Sequence, residues 1–169
     1  MSQSAENHKA EAPSSIRCAV VTISDTRTFK TDTGGQGVVD RLIGAGHLVA
    51  DRQIIPDESD RIRGILESLA LRDDVDAVLM TGGTGISVRD QTLETVSGVL
   101  TKALPGYGEL FRMLSYQQIG AAAMLSRATG GLIGRTVVLT MPGSPAAVQL
   151  AMEEIILPEL GHLVREAKR

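Results

Sequence analysis

The sequence predicts an α/β fold on a mostly parallel sheet, and three observations predict it. Short apolar, β-branched runs alternate with amphipathic stretches, in the order strand, helix, strand, helix, strand, helix. The apolar runs stop at polar or glycine-rich loops. With 169 residues, 43% of them hydrophobic, the chain is long enough for one domain with a sizeable core.

Residues 1–15 (MSQSAENHKAEAPSS) are small and polar and are expected to form a disordered tail, leaving 16–169 as a single domain. RCAVVTIS (17–24) is a buried strand that ends at Asp25-Thr26-Arg27-Thr28. GVVDRLIGAG (37–46) places Val38, Val39, Leu42 and Ile43 at helical spacing before closing glycines. LVADRQIIPD (48–57) alternates like a strand, and 58–72 carries Ile62, Ile65, Leu66 and Leu69 on one helical face. VDAVLM (75–80) is the most strand-like run, and TGGTG follows it at once. QTLETVSGVL (91–100) and GELFRMLSYQQIG (108–120) read as helices, the second with Leu110, Met113, Leu114 and Gln117 along one side. GGLIGRTVVLTMPGSP (130–145) reads as two short strands bending at Gly134-Arg135, an antiparallel hairpin. A closing helix over 145–167 is kinked or broken at Pro158, which has no backbone donor.

Composition excludes several function classes. Net charge is −3 without a block of like charge, and two Phe, two Tyr and no Trp supply no stacking platform, so no nucleic-acid partner is expected. No apolar run is long enough to span a bilayer, so no membrane partner is expected. The N-terminal stretch has no signal-peptide pattern, which makes the cytoplasm the expected compartment. Cys18 is the only cysteine and reads as a small buried residue rather than a nucleophile. His8, His47 and His162 are scattered without metal-ligand spacing.

In an open α/β sheet, ligands sit beyond the carboxyl ends of the strands. Four loops follow apolar strands: Ser24-Asp25-Thr26, Pro56-Asp57-Glu58, Thr81 to Gly85, and Pro142-Gly143-Ser144. If those strands are parallel, the loops gather on one edge. TGGTGISVRD (81–90) puts Gly82, Gly83 and Gly85 beside Thr81, Thr84 and Ser87, a loop whose backbone N–H groups can converge on an anion. A tight strand-to-helix turn is the bland alternative. Neither GxxxxGK[ST] nor GxGxxG is present. A side chain at Gly83 is expected to fill ligand space.

Asp57 and Asp90 each stand where a helix is predicted to begin. They serve either as N-caps or as two carboxylates holding Mg²⁺ beside a phosphate, and the two roles overlap. Asp25 with Ser24 is a third acidic candidate. Arg89 either pairs with phosphate or is simply solvated. Ser144 lacks a nucleophile-elbow context, so Pro142-Gly143-Ser144 is read as a rigid loop whose N–H groups can meet a second anion.

TISDTRT (22–28), DTGG (32–35), IPDE (55–58), TGGTGISVRDQT (81–92), PGYGELFRMLS (105–115), AMLSRATGG (123–131) and MPGSPAAV (141–148) occur in one order along the chain. This set resembles the molybdenum cofactor biosynthesis family of MoaB and Mog proteins, from about residue 17 to the end. The resemblance implies a three-layer α/β/α sandwich that binds molybdopterin, a pterin dithiolene with a terminal phosphate. It further implies that the Mog-type branch adenylylates molybdopterin with Mg-ATP. By the same resemblance, Gly82, Gly83, Thr84 and Gly85 hold the phosphate or pterin end. Asp57 and Asp90 match the acids of adenylyl transfer, and Pro142, Gly143 and Ser144 match a second pocket loop. ELFRMLSYQQIG and MPGSPAAVQLAM resemble the B-type branch more closely. Some B-type members are thought not to catalyse the transfer, while the intact PDE and RD motifs favour it here.

The expected function is therefore adenylylation of molybdopterin, with ATP as co-substrate and Mg²⁺ as its metal. The alternatives are a non-catalytic molybdopterin-binding protein and a generic nucleotide or sugar-phosphate enzyme. Leu110, Met113 and Leu114, with the apolar IILPELGHLV segment, are surplus apolar surface. The resemblance turns this into an expected homotrimer or hexamer.

Overall fold

A computed structural model describes residues 13–169 of the chain. Its strands are β1 (Arg17–Ile23), β2 (Leu48–Ile55), β3 (Ala77–Thr81), β4 (Lys102–Ala103), β5 (Gly130–Ile133) and β6 (Thr136–Met141). Its helices are α1 (Thr33–Gly44), α2 (Ser59–Ala70), α3 (Thr92–Val99), α4 (Pro105–Ile119), α5 (Pro145–Ala151) and α6 (Leu157–Lys168). The strands form one six-stranded sheet in the order β2-β1-β3-β6-β5-β4. β1, β2, β3 and β6 are mutually parallel, and β5 runs antiparallel to both β6 and β4.

Alternate residues of the central strands feed two cores, as the twofold period of a strand requires. Cys18, Val20, Leu79 and Leu139 pack with α1, α4, α5 and α6, through Leu42, Phe111, Val148 and Leu160 among others. Ala19, Val21, Val78 and Met80 pack on the other face with Ile62, Leu66 and Leu69 of α2 and Val96 of α3. The predicted sandwich of helices on both faces of a mostly parallel sheet is therefore present, and Gly134 turns the β5–β6 hairpin with φ +59.

Four local features differ from the sequence expectation. Helix α1 begins at Thr33, earlier than the apolar periodicity indicates, because Asp32 caps it by accepting from Gly35 N at 2.8 Å. Gly34 and Gly35 hide this start by looking like breakers. Strand β4 is only two residues long and leaves no pattern to read; Thr101 N–H and Leu104 N–H fix it to Leu132 O and Gly130 O. Helix α4 buries Tyr107, Phe111 and Ser115, while Leu110 and Met113 from the anticipated face are 39% and 52% exposed. The closing helix is interrupted by one π-turn over Met152–Ile156, where Leu157 N–H donates to Met152 O. Pro158 follows directly, and because it has no N–H to give to the preceding turn, the expected disruption takes the form of this π-turn rather than a break.

Cys18 is fully buried as expected, and burial pushes its thiol up to about 12, which keeps it unreactive at neutral pH. Among the described residues no helix is long and apolar enough to cross a membrane. The tail expectation falls chiefly on residues 1–12, and His8 with it, outside the described residues; Pro13 to Ser15 are exposed.

Candidate functional site

Because β1, β2, β3 and β6 are parallel, the four loops noted in the sequence leave the same edge of the sheet. Direct bonds hold them together. Ser24 N–H donates to Ile55 O at 2.8 Å and Gly82 N–H to Met141 O at 3.1 Å. Thr81 Oγ1 donates to Pro142 O at 3.2 Å, and Arg89 Nη2 reaches Asp25 Oδ2 at 2.5 Å. A cleft of about 400 Å³ opens at this edge between Thr22, Arg27, Gly34, Thr81, Gly82 and Ser144.

The glycines of TGGTG have a structural cause that the sequence does not reveal. Gly82 and Gly83 adopt φ +99 and +62, the left-handed region that side chains avoid. A Cβ on Gly82 would collide with Ile23 O, and one on Gly83 would collide with Thr92 Oγ1 and Asp57 Oδ2. One on Gly85 would stand 2.5 Å from Asp90 Oδ2. At Gly83 the side-chain volume is thus met by the protein's own Thr92 hydroxyl and, next to it, the Asp57 carboxylate, not by free space for a ligand. Glycine here brings the two acids against the loop. Thr84 is buried, and Gly85 O accepts from Arg127 Nη1 at 3.0 Å.

Neither acid caps the helix that follows it. Glu58 is the N-cap of α2 and Gln91 that of α3, and neither makes a side-chain capping bond to its helix. Asp57 instead accepts from Gln91 N–H at 3.4 Å and Thr92 Oγ1 at 3.3 Å, across the sheet edge at the start of α3. Asp90 closes its own loop, accepting from Ser87 N–H at 2.9 Å. Desolvation raises the Asp57 carboxyl above its ordinary value; the Gln91 and Thr92 bonds oppose this, and the charges of Asp90 and Asp25 add to it. A cation placed beside Asp57 and Asp90 relieves that repulsion. Mg²⁺ commonly takes one or two carboxylates and completes its shell with phosphate and water. Asp57 and Asp90 are the two acids that stand against the glycine loop, and no group of three or more metal-ligating His, Cys, Asp or Glu gathers among the described residues.

The remaining named positions play local structural roles. Ser24 Oγ accepts from Thr26 and Arg27 N–H at 3.2 and 3.1 Å, which shapes the loop carrying Asp25. Ser144 Oγ accepts from Ala147 N–H at 3.2 Å, so it is the N-cap of α5. Pro142 and Gly143 lie against Thr81 and Gly82. His47 Nδ1 accepts from Ile16 N–H and His162 pairs with Glu159, both away from the loops.

Asp32, Arg27 and Arg127 were not singled out by sequence reasoning. Buried Asp32 accepts from Thr22 Oγ1 at 2.8 Å as well as from Gly35 N, and Arg52 pairs with it at 3.3 Å, which fixes the α1 wall of the cleft. An Asp before small residues is an N-cap signal and could have identified it. Arg127 joins Gly85 to Glu94 from a distant segment, and nothing local announces that.

Comparison with known proteins agrees with this architecture. Residues 19–162 match the family model described as "Probable molybdopterin binding domain". The chain is similar to molybdenum cofactor biosynthesis protein B of Bacillus anthracis, 53% identical over 167 residues that cover 98% of this chain and 99% of that protein. A crystal structure of molybdenum cofactor biosynthesis protein B superposes with a TM-score of 0.91 at 52% identity, covering 94% of this chain and 99% of the other. The tungsten cofactor synthesizing protein MoaB from Pyrococcus furiosus superposes at 0.83 with 34% identity, covering 94% and 100%.

Proposed function

Because the chain belongs to this family of molybdopterin-binding domains, as a MoaB-type protein of molybdenum cofactor biosynthesis, we propose that it binds molybdopterin at the carboxyl edge of the sheet and adenylylates it with Mg-ATP. The observation that carries the proposal is the setting of Asp57. Its carboxylate lies against the backbone of the glycine loop, at the start of α3, with the charge of Asp90 acting on it. Such a site sets acids that would hold a cation against a glycine-rich loop, which is what phosphoryl chemistry asks of its metal site.

In the proposed reaction an oxygen of the molybdopterin phosphate attacks the α-phosphorus of ATP. The bond from that phosphorus to the bridging oxygen breaks, and pyrophosphate leaves with the electron pair. No covalent enzyme intermediate is needed, so the chain's contribution is positioning and charge stabilisation. Asp57 and Asp90 would hold Mg²⁺, which neutralises phosphate charge. Gly82, Gly83, Thr84, Gly85 and Ser87 shape the loop against which the phosphates rest, with Ser24 and Asp25 on the opposite rim. Pro142, Gly143 and Ser144 form the wall towards α5. The proposal includes a homo-oligomeric protein, a trimer or hexamer.

Incubation with molybdopterin, ATP and Mg²⁺, followed by assay of adenylyl-molybdopterin, tests the reaction. Product formation supports it. Tight molybdopterin binding without product leaves a non-catalytic binding protein acting in the same pathway.

A further inference from the structure

Arg89 lies on the loop that carries the glycines and Asp90, and pairs with Asp25 of the neighbouring loop; its environment is unlike that of Arg27 and Arg127. Arg127 is tied down on Gly85 O and Glu94, and Arg27 donates to Thr31 O at 3.0 Å. Arg89 makes one ion pair, with Asp25 at 2.5 Å, joining loops 64 residues apart. Its side chain is 76% exposed and that of Asp25 37%. A pair so open to water and salt contributes little and exchanges at small cost. The next residue, Asp90, turns back to Ser87 N–H, so acid and base of the RD motif serve different neighbours.

Resting on the nucleotide-using reading above, we infer that Arg89 is an anion-binding residue for a phosphate of the nucleoside triphosphate, and that Asp25 is its built-in competitor. Ligand phosphate replaces the Asp25 carboxylate on the guanidinium fork, which suits bidentate phosphate contact. The competition predicts an unusual sign. Neutralising Asp25 should improve nucleotide binding even though it removes an interaction present in the structure.

Isothermal titration of the full chain with the magnesium complex of α,β-methylene-ATP tests this. Arg89→Gln should weaken binding about tenfold, the size of one charge-assisted contact, and Arg89→Lys should fall between it and the unsubstituted protein. Asp25→Asn should tighten binding about two- to fivefold, and that gain should vanish when Arg89→Gln is added. Melting temperatures should stay unchanged because both side chains are at the surface. Weaker or equal binding by Asp25→Asn would overturn the inference, as would equal binding by Arg89→Gln while the unsubstituted protein binds normally; neither touches the proposed function. No nucleotide binding by the unsubstituted protein would overturn both.

Discussion

Asp57 accepts a hydrogen bond from Thr92 Oγ1 at 3.3 Å, across 35 residues of sequence, and so stands at the start of a helix other than the one it precedes. This contact fixes a carboxylate where desolvation and the charges of Asp90 and Asp25 disfavour ionisation.

Asp57→Asn should therefore separate stability from activity. The carboxyl value is raised in the folded chain, so its ionisation opposes folding as pH rises through that raised value. An amide oxygen can still accept from Thr92 and Gln91. The expected outcome is an equal or higher melting temperature at pH 7, with the advantage shrinking as pH falls below the carboxylate range. A large fall in melting temperature at pH 7 would show that the carboxylate serves stability instead.

Gly83→Ala should damage the loop rather than block a ligand. The new methyl meets Thr92 Oγ1 and Asp57 Oδ2 on a backbone held at φ +62. We expect a loss of roughly 1–3 kcal/mol in chemical denaturation, together with loss of activity from the displaced Asp57. Unchanged stability would contradict this packing role.

At the opposite edge, buried Asp76 takes Arg17 N–H at 2.9 Å and its guanidinium at 2.7 Å, with Lys168 beside it. Arg17 above all holds the Asp76 carboxyl well below the usual carboxylate range. A depressed carboxyl supplies stability above its unfolded value near pH 4 and loses it as pH falls towards the folded one. Asp76→Asn should cost about 1–3 kcal/mol at pH 7, and the gap from the unsubstituted protein should narrow under acid. A constant gap down to the acid transition would contradict the assignment.

Leu110, Met113, Tyr116, Ile119, Met124 and Leu125 form exposed apolar surface on α4 and the 3₁₀ turn after it. Such surface is commonly covered by another subunit. Light scattering at about micromolar concentration, in the range of ordinary specific association, should give three or six times the 17.9 kDa subunit mass. Met113→Glu should lower it. A one-subunit mass for the unsubstituted protein would refute the oligomer.

The centre of the sheet was legible because β1, β3 and β6 are continuous apolar runs, each cut off by a loop, and the strand–helix alternation also placed the site loops on one edge. The helix faces were less legible. Tyr107 and Ser115 are buried while Leu110 and Met113 are exposed, and Tyr107 OH donates to Thr140 O at 2.9 Å inside the core, a partnership no periodicity encodes. Asp57 was recognisable as an acid beside a glycine loop, whereas its partner Thr92 and the Asp32–Thr22 bond were not, since contacts across the sheet edge leave no local trace.

The central claim is tested most directly by following labelled α-phosphate from Mg-ATP to molybdopterin in a single turnover, with Asp57→Asn and Asp90→Asn alongside. The account predicts label transfer with one pyrophosphate released per adenylyl group. Both variants should slow the transfer about a hundredfold or more while binding molybdopterin nearly as before. Molybdopterin binding with no transfer of label by the unsubstituted protein would contradict it.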